Sequence, residues 1–465
     1  GVTMRIILLF ISLAIFSDTS EFIDKTKDKY NQLAMELWNY AEMGYLETNS
    51  ANAIKKILKD EGFNVTDQIA GIPTAFVAEY GSEGPVIGIL AEFDALPGLS
   101  QSNNPYRESL GGDAGHACGH HLFGAGSVHA AVAIKEELKR RNIKGRIRLY
   151  GTPAEEGGSG KVYIARDGYF DDVDVVLHWH PDDSNRAHYS SSNGNKSARF
   201  KFKGISAHAA GSPQNGRSAL DGVEAMNMMV NMMREHMDEE ARIHYVITKG
   251  GLAPNVVPED AEVYYYVRHP KRDGVEELFK RVVKTAQGAA VGTETDMTYE
   301  VMHGNYPLLP NTTLSTMIDK ELRALGGISY NAEEEAFAKE LYGTLVNPDR
   351  LLGDQETIKP LRLSSGKGST DVGDVSWKVP TSGVRIATWV PGTSSHSWQA
   401  VAAGGTSIGT KGANLAAKAL ANSALNLFEN PELIEAAWME HKERVGDHQY
   451  QALLGNRMPP LDYRK

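Results

Sequence analysis

The sequence predicts an α/β protein: a larger domain of strands alternating with helices, with a smaller βαββαβ domain inserted into it. Two observations carry this. Short apolar runs alternate with amphipathic helical stretches up to about residue 195 and again after Pro307, the order of a sheet covered by helices. Between about Lys196 and Gly304 the order becomes strand, helix, strand, strand, helix, strand, a small self-contained unit.

Taken in order, Glu21 to Tyr45 carries Leu33, Leu37 and Ala41 at helical spacing, with Tyr30 and Trp38 nearby. A second helix spans Ser50 to Glu61 and stops at Gly62. Thr74 to Glu79 and Val86 to Leu90 read as strands. The second is apolar throughout, as in a strand covered on both faces. A helix from about Ala125 to Arg140, a strand Arg146 to Tyr150 and a buried strand Val173 to Leu177 follow. The insert reads as strand Ser197 to Phe202, helix Ser218 to His236, strands His244 to Lys249 and Ala261 to Val267, helix Val275 to Ala290 and strand Met297 to Met302. The small, Gly-rich stretch from Ala402 to Gly412 reads as a loop leading into a helix capped near Asn414. The expected divisions are a leader over 1–20, a catalytic domain in two parts (21–195 and 306–465) and an inserted domain over 196–305.

The 465 residues are 41% hydrophobic and 23% charged, the balance of a soluble globular chain with room for two or three domains. A net charge of −11 without a dense Lys/Arg run argues against nucleic-acid binding. The single cysteine, Cys118, excludes an intrachain disulfide. The apolar run Ile6 to Phe16 follows Met4 and Arg5, is too short for a membrane span and resembles the core of a secretory signal peptide. Asp18 interrupts the region where cleavage would fall. Export to the periplasm or the extracellular space is the expectation, with Gly1 to Thr3 as an upstream remnant. A buried N-terminal element in a cytoplasmic protein is the other reading. No other segment is apolar enough to span a bilayer.

Four segments could carry chemistry. In Gly115-His116-Ala117-Cys118-Gly119-His120-His121, a thiolate and an imidazole two apart can reach one metal centre. A Cys–His nucleophilic pair is the rival reading of the same residues. Glu155 and Glu156 follow the strand ending at Tyr150. Adjacent carboxylates there point in different directions, so one can bind a metal while the other acts as a general base. His178 and His180 share one face of a strand end, where α/β sheets bind ligands. His396 lies late in a loop of small residues. Any one of these is weak on its own: two glutamates in a loop are usually just solvated. Together they supply S, N and O donors that suit zinc or manganese.

These motifs resemble the M20 metallopeptidases. The resemblance is carried by Glu92-Phe93-Asp94-Ala95-Leu96-Pro97-Gly98, the stretch from Gly115 to His121, Pro153-Ala154-Glu155-Glu156-Gly157-Gly158 and Trp179-His180-Pro181. Ala207-His208-Ala209-Ala210, Gly216-Arg217-Ser218-Ala219-Leu220-Asp221, Arg234-Glu235-His236, Ala253-Pro254-Asn255-Val256-Val257-Pro258, Ser369 to Asp374 and His396-Ser397-Trp398 complete it. The match runs from about Phe22 to the C-terminus, and is strongest to the family's branch of aminobenzoyl-glutamate and auxin-conjugate hydrolases. It implies a zinc-peptidase-like catalytic domain with a ferredoxin-like lid or dimerisation domain. It also implies two divalent ions per subunit, zinc or manganese, and hydrolysis of an N-acyl amino acid, with p-aminobenzoyl-glutamate the expected substrate.

By the same resemblance, Cys118, His120, Glu156, His180 and His396 are the metal ligands and Glu155 is the general base. Asp94 steadies the ligands from behind. His208 reaches a partner subunit's site to stabilise the oxyanion, and Asn255 and Arg268 contact substrate. A homodimer is implied, and a heteromer with a sister chain fits as well. There are departures from the family pattern. Glu92 stands where many relatives carry a metal-binding His, and His121 where relatives often have Asp or Asn. His116, His121 and His178 are left without a role. An aminoacylase or dipeptidase with another substrate is the catalytic alternative, and a binding subunit that needs a partner chain for activity the non-catalytic one.

Overall fold

The computed structural model describes residues 17–465; the apolar run Ile6 to Phe16 lies outside them. A seven-stranded mixed sheet forms the larger body. Its strands run in the order Asn64–Asp67, Phe76–Tyr80, Arg146–Gly151, Val86–Ala91, Val175–Asp182, Thr381–Ala387 and Arg186–Ala187. Val86–Ala91 is buried at every position, as its unbroken apolar run requires of a central strand. The four strands Arg146–Gly151, Val86–Ala91, Val175–Asp182 and Thr381–Ala387 are parallel neighbours, and antiparallel strands flank them. The C-terminal ends of the four therefore open on one edge of the sheet, the edge where side chains can converge on a ligand. Helices Ser17–Tyr40, His120–Arg141 and Ser407–Glu429 pack against one another, and the latter two also against the sheet.

The second body is a four-stranded antiparallel sheet with two helices. Its order is Arg242–Lys249, Asp260–His269, Gly194–Lys203, Asp296–Asn305, the βαββαβ pattern of a ferredoxin-like unit. Along Asp260–His269 alternate residues are buried. Val263, Tyr265 and Val267 from that face join Phe200, Val223, Met226 and Phe279 in a core separate from that of the larger body. The helix Ala219–Met233 starts where the Ser218 side chain accepts the Asp221 backbone N–H.

Two elements differ from the sequence expectation. The stretch Ala402 to Gly412 is helical, divided between Trp398–Gly404 and Ser407–Glu429, with Thr406 rather than a residue near Asn414 at the cap. Its glycines serve close packing: a Cβ on Gly409 would stand 2.8 Å from the Gly404 carbonyl oxygen, and one on Gly412 2.6 Å from that of Ala387. The helix expected from Ala125 begins at His120. Its first turns are buried on all sides, so they show no amphipathic period, and no side chain caps it. Among the described residues no helix is long and apolar enough to cross a membrane.

Candidate active site

The four parallel strands deliver the candidate residues. Val86–Ala91 runs into Glu92 and Asp94, Arg146–Gly151 into the turn holding Glu155 and Glu156, and Val175–Asp182 carries His178 and His180 itself. Beyond Thr381–Ala387, the loop with His396 returns so that the His396 backbone N–H donates to the Ala117 carbonyl at 2.9 Å. Gly119 makes the convergence possible. It sits at φ 74°, and a Cβ there would come within 2.6 Å of Pro181, the residue after His180. A larger residue at this position would push the Cys118–His120 turn away from His180.

Three possible donor groups result, and two of them share one atom. Cys118, His120 and His180 place one ligand atom each within 4.8 Å of one another, and so do Cys118, Glu156 and His396. Cys118 Sγ lies 3.6 Å from His180 Nε2, and His396 Nε2 lies 3.2 Å from Glu156 Oε1. The imidazoles are oriented from behind. His120 Nδ1 stands 2.8 Å from Asp94 Oδ1, and His180 Nδ1 stands 2.7 Å from the Pro181 carbonyl oxygen. Each Nδ1 proton is used there, which leaves each Nε2 lone pair facing the cluster.

The same Asp94 accepts the Glu156 backbone N–H at its other oxygen, 2.9 Å away. His120 Nε2 and Glu156 Oε1 are buried and have no hydrogen-bond partner. His120 Nε2 is 3.0 Å from Glu92 Oε2, but not in hydrogen-bonding geometry. Orphaned donor atoms of mixed S, N and O type, held in place by second partners, fit divalent metal ions.

Charge around the clusters is arranged in layers. Behind them Lys161, fully buried, bridges Glu92 at 2.6 Å and Asp371 at 2.8 Å. Burial alone would raise the Glu92 carboxyl, but the Lys161 and His120 charges hold it well below the usual range. Burial and the neighbouring Glu156 charge push Glu155 well above the carboxylate range, and burial lowers His180 to about 3. Burial, with the Glu156 charge, also pushes the Cys118 thiol up, which runs against an activated nucleophile. A cavity of about 450 Å³ opens over these groups, lined by Cys118, Glu155, Glu156, His180, Arg385 and His396 among others.

The three remaining candidates lie on the insert and do not line this cavity. His208 and Asn255 are exposed and adjacent, with the Ala209 N–H donating to the Asn255 carbonyl at 3.0 Å. Arg268 is half-buried beside the Tyr266 ring, with an unpartnered Nε. The unassigned histidines are buried. His116 Nε2 meets the Leu37 carbonyl at 3.0 Å and His121 Nε2 that of Gly404 at 2.9 Å, so both tie the Cys118 turn to flanking helices. His178 stacks edge-on with His188.

Sequence reasoning missed Lys161, whose local context carries no signal, and gave Asp371, within the Ser369 to Asp374 motif, no role. It also missed the C-terminal residues Tyr463 and Arg464, which hydrogen-bond the Glu156 carbonyl at 3.0 and 2.8 Å.

The fold and the paired donor clusters define a metal-dependent hydrolase of amide bonds, and the chain belongs to the M20 family. Residues 190–294 match the family model of a peptidase dimerisation domain. Across 96% of its length the chain is 37% identical to the B component of the p-aminobenzoyl-glutamate hydrolase of Escherichia coli, covering 98% of that protein. It is 28% identical to the Xaa-Arg dipeptidase of Mus musculus, over 92% of this chain and 93% of that one. A dinuclear metal-binding peptidase of the M20 family from Bacillus subtilis shares the fold, with a TM-score of 0.55 at 18% identity over 85% of this chain and 98% of that one.

Proposed function

We propose that this chain hydrolyses the amide of N-acyl amino acids, p-aminobenzoyl-glutamate foremost, with two zinc or manganese ions. The observation that supports it is the pair of donor clusters sharing Cys118, with Glu155 beside them. Cys118, His120 and His180 would hold one ion; Cys118, Glu156 and His396 the other. Bound there, divalent ions lower the pKa of water and polarise a carbonyl. Glu155 removes the proton from the attacking water and passes it to the departing amine.

His208 acts on a partner subunit's site. Its Nδ1 accepts the N–H groups of Ala210 at 3.2 Å and Gly211 at 2.9 Å, so its proton resides on the outward Nε2, ready to donate to an oxyanion. Arg268 and Asn255 hold the substrate's carboxylate. A dimer is supported by the exposed apolar face of the insert. Met228 and Met232 are 59% and 62% exposed on one helix. Val246 and Ile247, on the edge strand of the same body, are 56% and 40% exposed as well. The run Ile6 to Phe16 supports export.

The test is release of glutamate from p-aminobenzoyl-glutamate by the purified chain, with added zinc or manganese and after chelation. Metal-dependent release is expected, and release that persists after complete metal removal would overturn the mechanism.

A further inference from the structure

A second cavity, of about 260 Å³, adjoins the one over the donor clusters and shares His188, Gly368, Ser369, Thr370 and Arg385 with it as common walls. Its lining contains three arginines, Arg186, Arg362 and Arg385, and no aspartate or glutamate. Arg385 is paired across the sheet with His180 and projects from the same face, so this cation stands next to the candidate metal ligands.

The arginines are only partly compensated. Asp182 Oδ2 takes Arg186 at 2.7 Å and Arg385 at 3.2 Å, one carboxylate between two guanidiniums. Arg186 also donates to Ser184 Oγ at 2.5 Å. Among the described residues Arg385 keeps Nε and its second amino group without a protein partner, and Arg362, exposed at the rim, has no ion pair. Ser369 Oγ, in the shared wall, is buried and unpartnered.

We propose that this cavity is the subsite for a carboxylate on the substrate, remote from the scissile amide. The proposal rests on the amidohydrolase reading above. Planar guanidiniums with unused N–H donors match a carboxylate, and a free hydroxyl beside them supplies a further donor. The same wall repels a basic side chain, which sets this chain apart from a dipeptidase acting before arginine. The carboxylate belongs either to an acidic side chain in the amino-acid half or to an acidic acyl half, and the experiment separates the two.

The metal-loaded full-length protein is titrated by calorimetry with L-glutamate against L-glutamine, and with succinate against succinamate. These pairs differ only in the remote carboxylate, so any general attraction for the shared groups cancels. Discrimination of about tenfold or more is expected in at least one pair. The first pair reports on the amino-acid half, the second on the acyl half. Arg385→Gln should reduce the discrimination to near unity. Arg362→Gln, on the exposed rim where folding is not at stake, should reduce it severalfold. Equal affinities in both pairs, no binding of any of the four, or discrimination unchanged in both variants would overturn the subsite. Discrimination lost in the variants, in a protein that hydrolyses no acyl amino acid, would leave the subsite standing and remove the amidohydrolase reading alone.

Discussion

Replacing Asp94 by Asn tests the centre at the residue on which both donor clusters depend. The substitution changes one oxygen into an NH2 and leaves shape and volume intact. Both Asp94 oxygens are used: Oδ1 faces His120 Nδ1 at 2.8 Å and Oδ2 accepts the Glu156 N–H at 2.9 Å. An amide can accept only one of these. If its NH2 faces Glu156, two donors confront each other at a fully buried position, which costs about 1–3 kcal/mol. If the NH2 faces His120, it favours the tautomer with the proton on Nε2, the atom that must present its lone pair to the cluster. Either orientation disturbs one ligand of one cluster, and metal affinity should fall by about 10- to 100-fold. Competition with a chromophoric chelator measures that fall for each ion separately. Wild-type affinity for both ions in a folded Asp94→Asn protein would refute the assignment of His120 and Glu156 as ligands.

Glu155→Gln should retain its metal, measured by elemental analysis, while turnover drops by about 10² or more. Lys161→Met removes the cation between Glu92 and Asp371 and leaves two buried carboxylates unpaired. A loss of about 3–5 kcal/mol is expected in denaturant unfolding, with Lys161→Arg no simple rescue in a fully packed site. Asp374 is fully buried, and burial raises its carboxyl to about 7. The folded state then holds a proton that the unfolded state has released above about pH 4. Its contribution is full below that pH and is lost as pH rises to about 7, at most about 4 kcal/mol in all. Asp374→Asn should flatten this part of the stability–pH curve, and an unchanged slope between about pH 4.5 and 7 would count against the assignment.

What the sequence disclosed follows from how local each signal is. Val86–Ala91 and the alternating elements of the insert are set by burial of consecutive or alternate residues, a pattern written in neighbouring positions. The donors were legible for a similar reason, since Cys118 and His120, or Glu155 and Glu156, fall within single turns and at strand ends. The stretch Ala402 to Gly412 misled because glycine marks both loops and close helix contacts, and only the neighbouring backbone distinguishes them. Lys161 was illegible: a lysine in a short helix reads as solvated, and its partners Glu92 and Asp371 lie far away in the chain. Tyr463 and Arg464 meet Glu156 across more than 300 residues, a distance no local pattern spans.

The buried carboxylate of Glu92 is accounted for by that hidden lysine. A carboxylate at the end of a central strand, 3.0 Å from His120 Nε2, is well placed to compete for a metal. Indeed Glu92, His120 and Glu155 form a third possible donor group. Lys161 decides the competition. Its ammonium sits 2.6 Å from the other Glu92 oxygen with both groups fully buried, and Asp371 accepts from both the side chain and the backbone N–H of the lysine. Glu92 is thereby committed to an internal ion pair, and moving it onto a metal would strand Lys161 against Asp371 alone. The donor that both remaining clusters can share is then Cys118, the one thiol in the chain. The Glu92 carboxylate at the strand end and the Cys118 thiol common to two donor groups therefore belong to a single arrangement, with the buried Lys161 as the link between them.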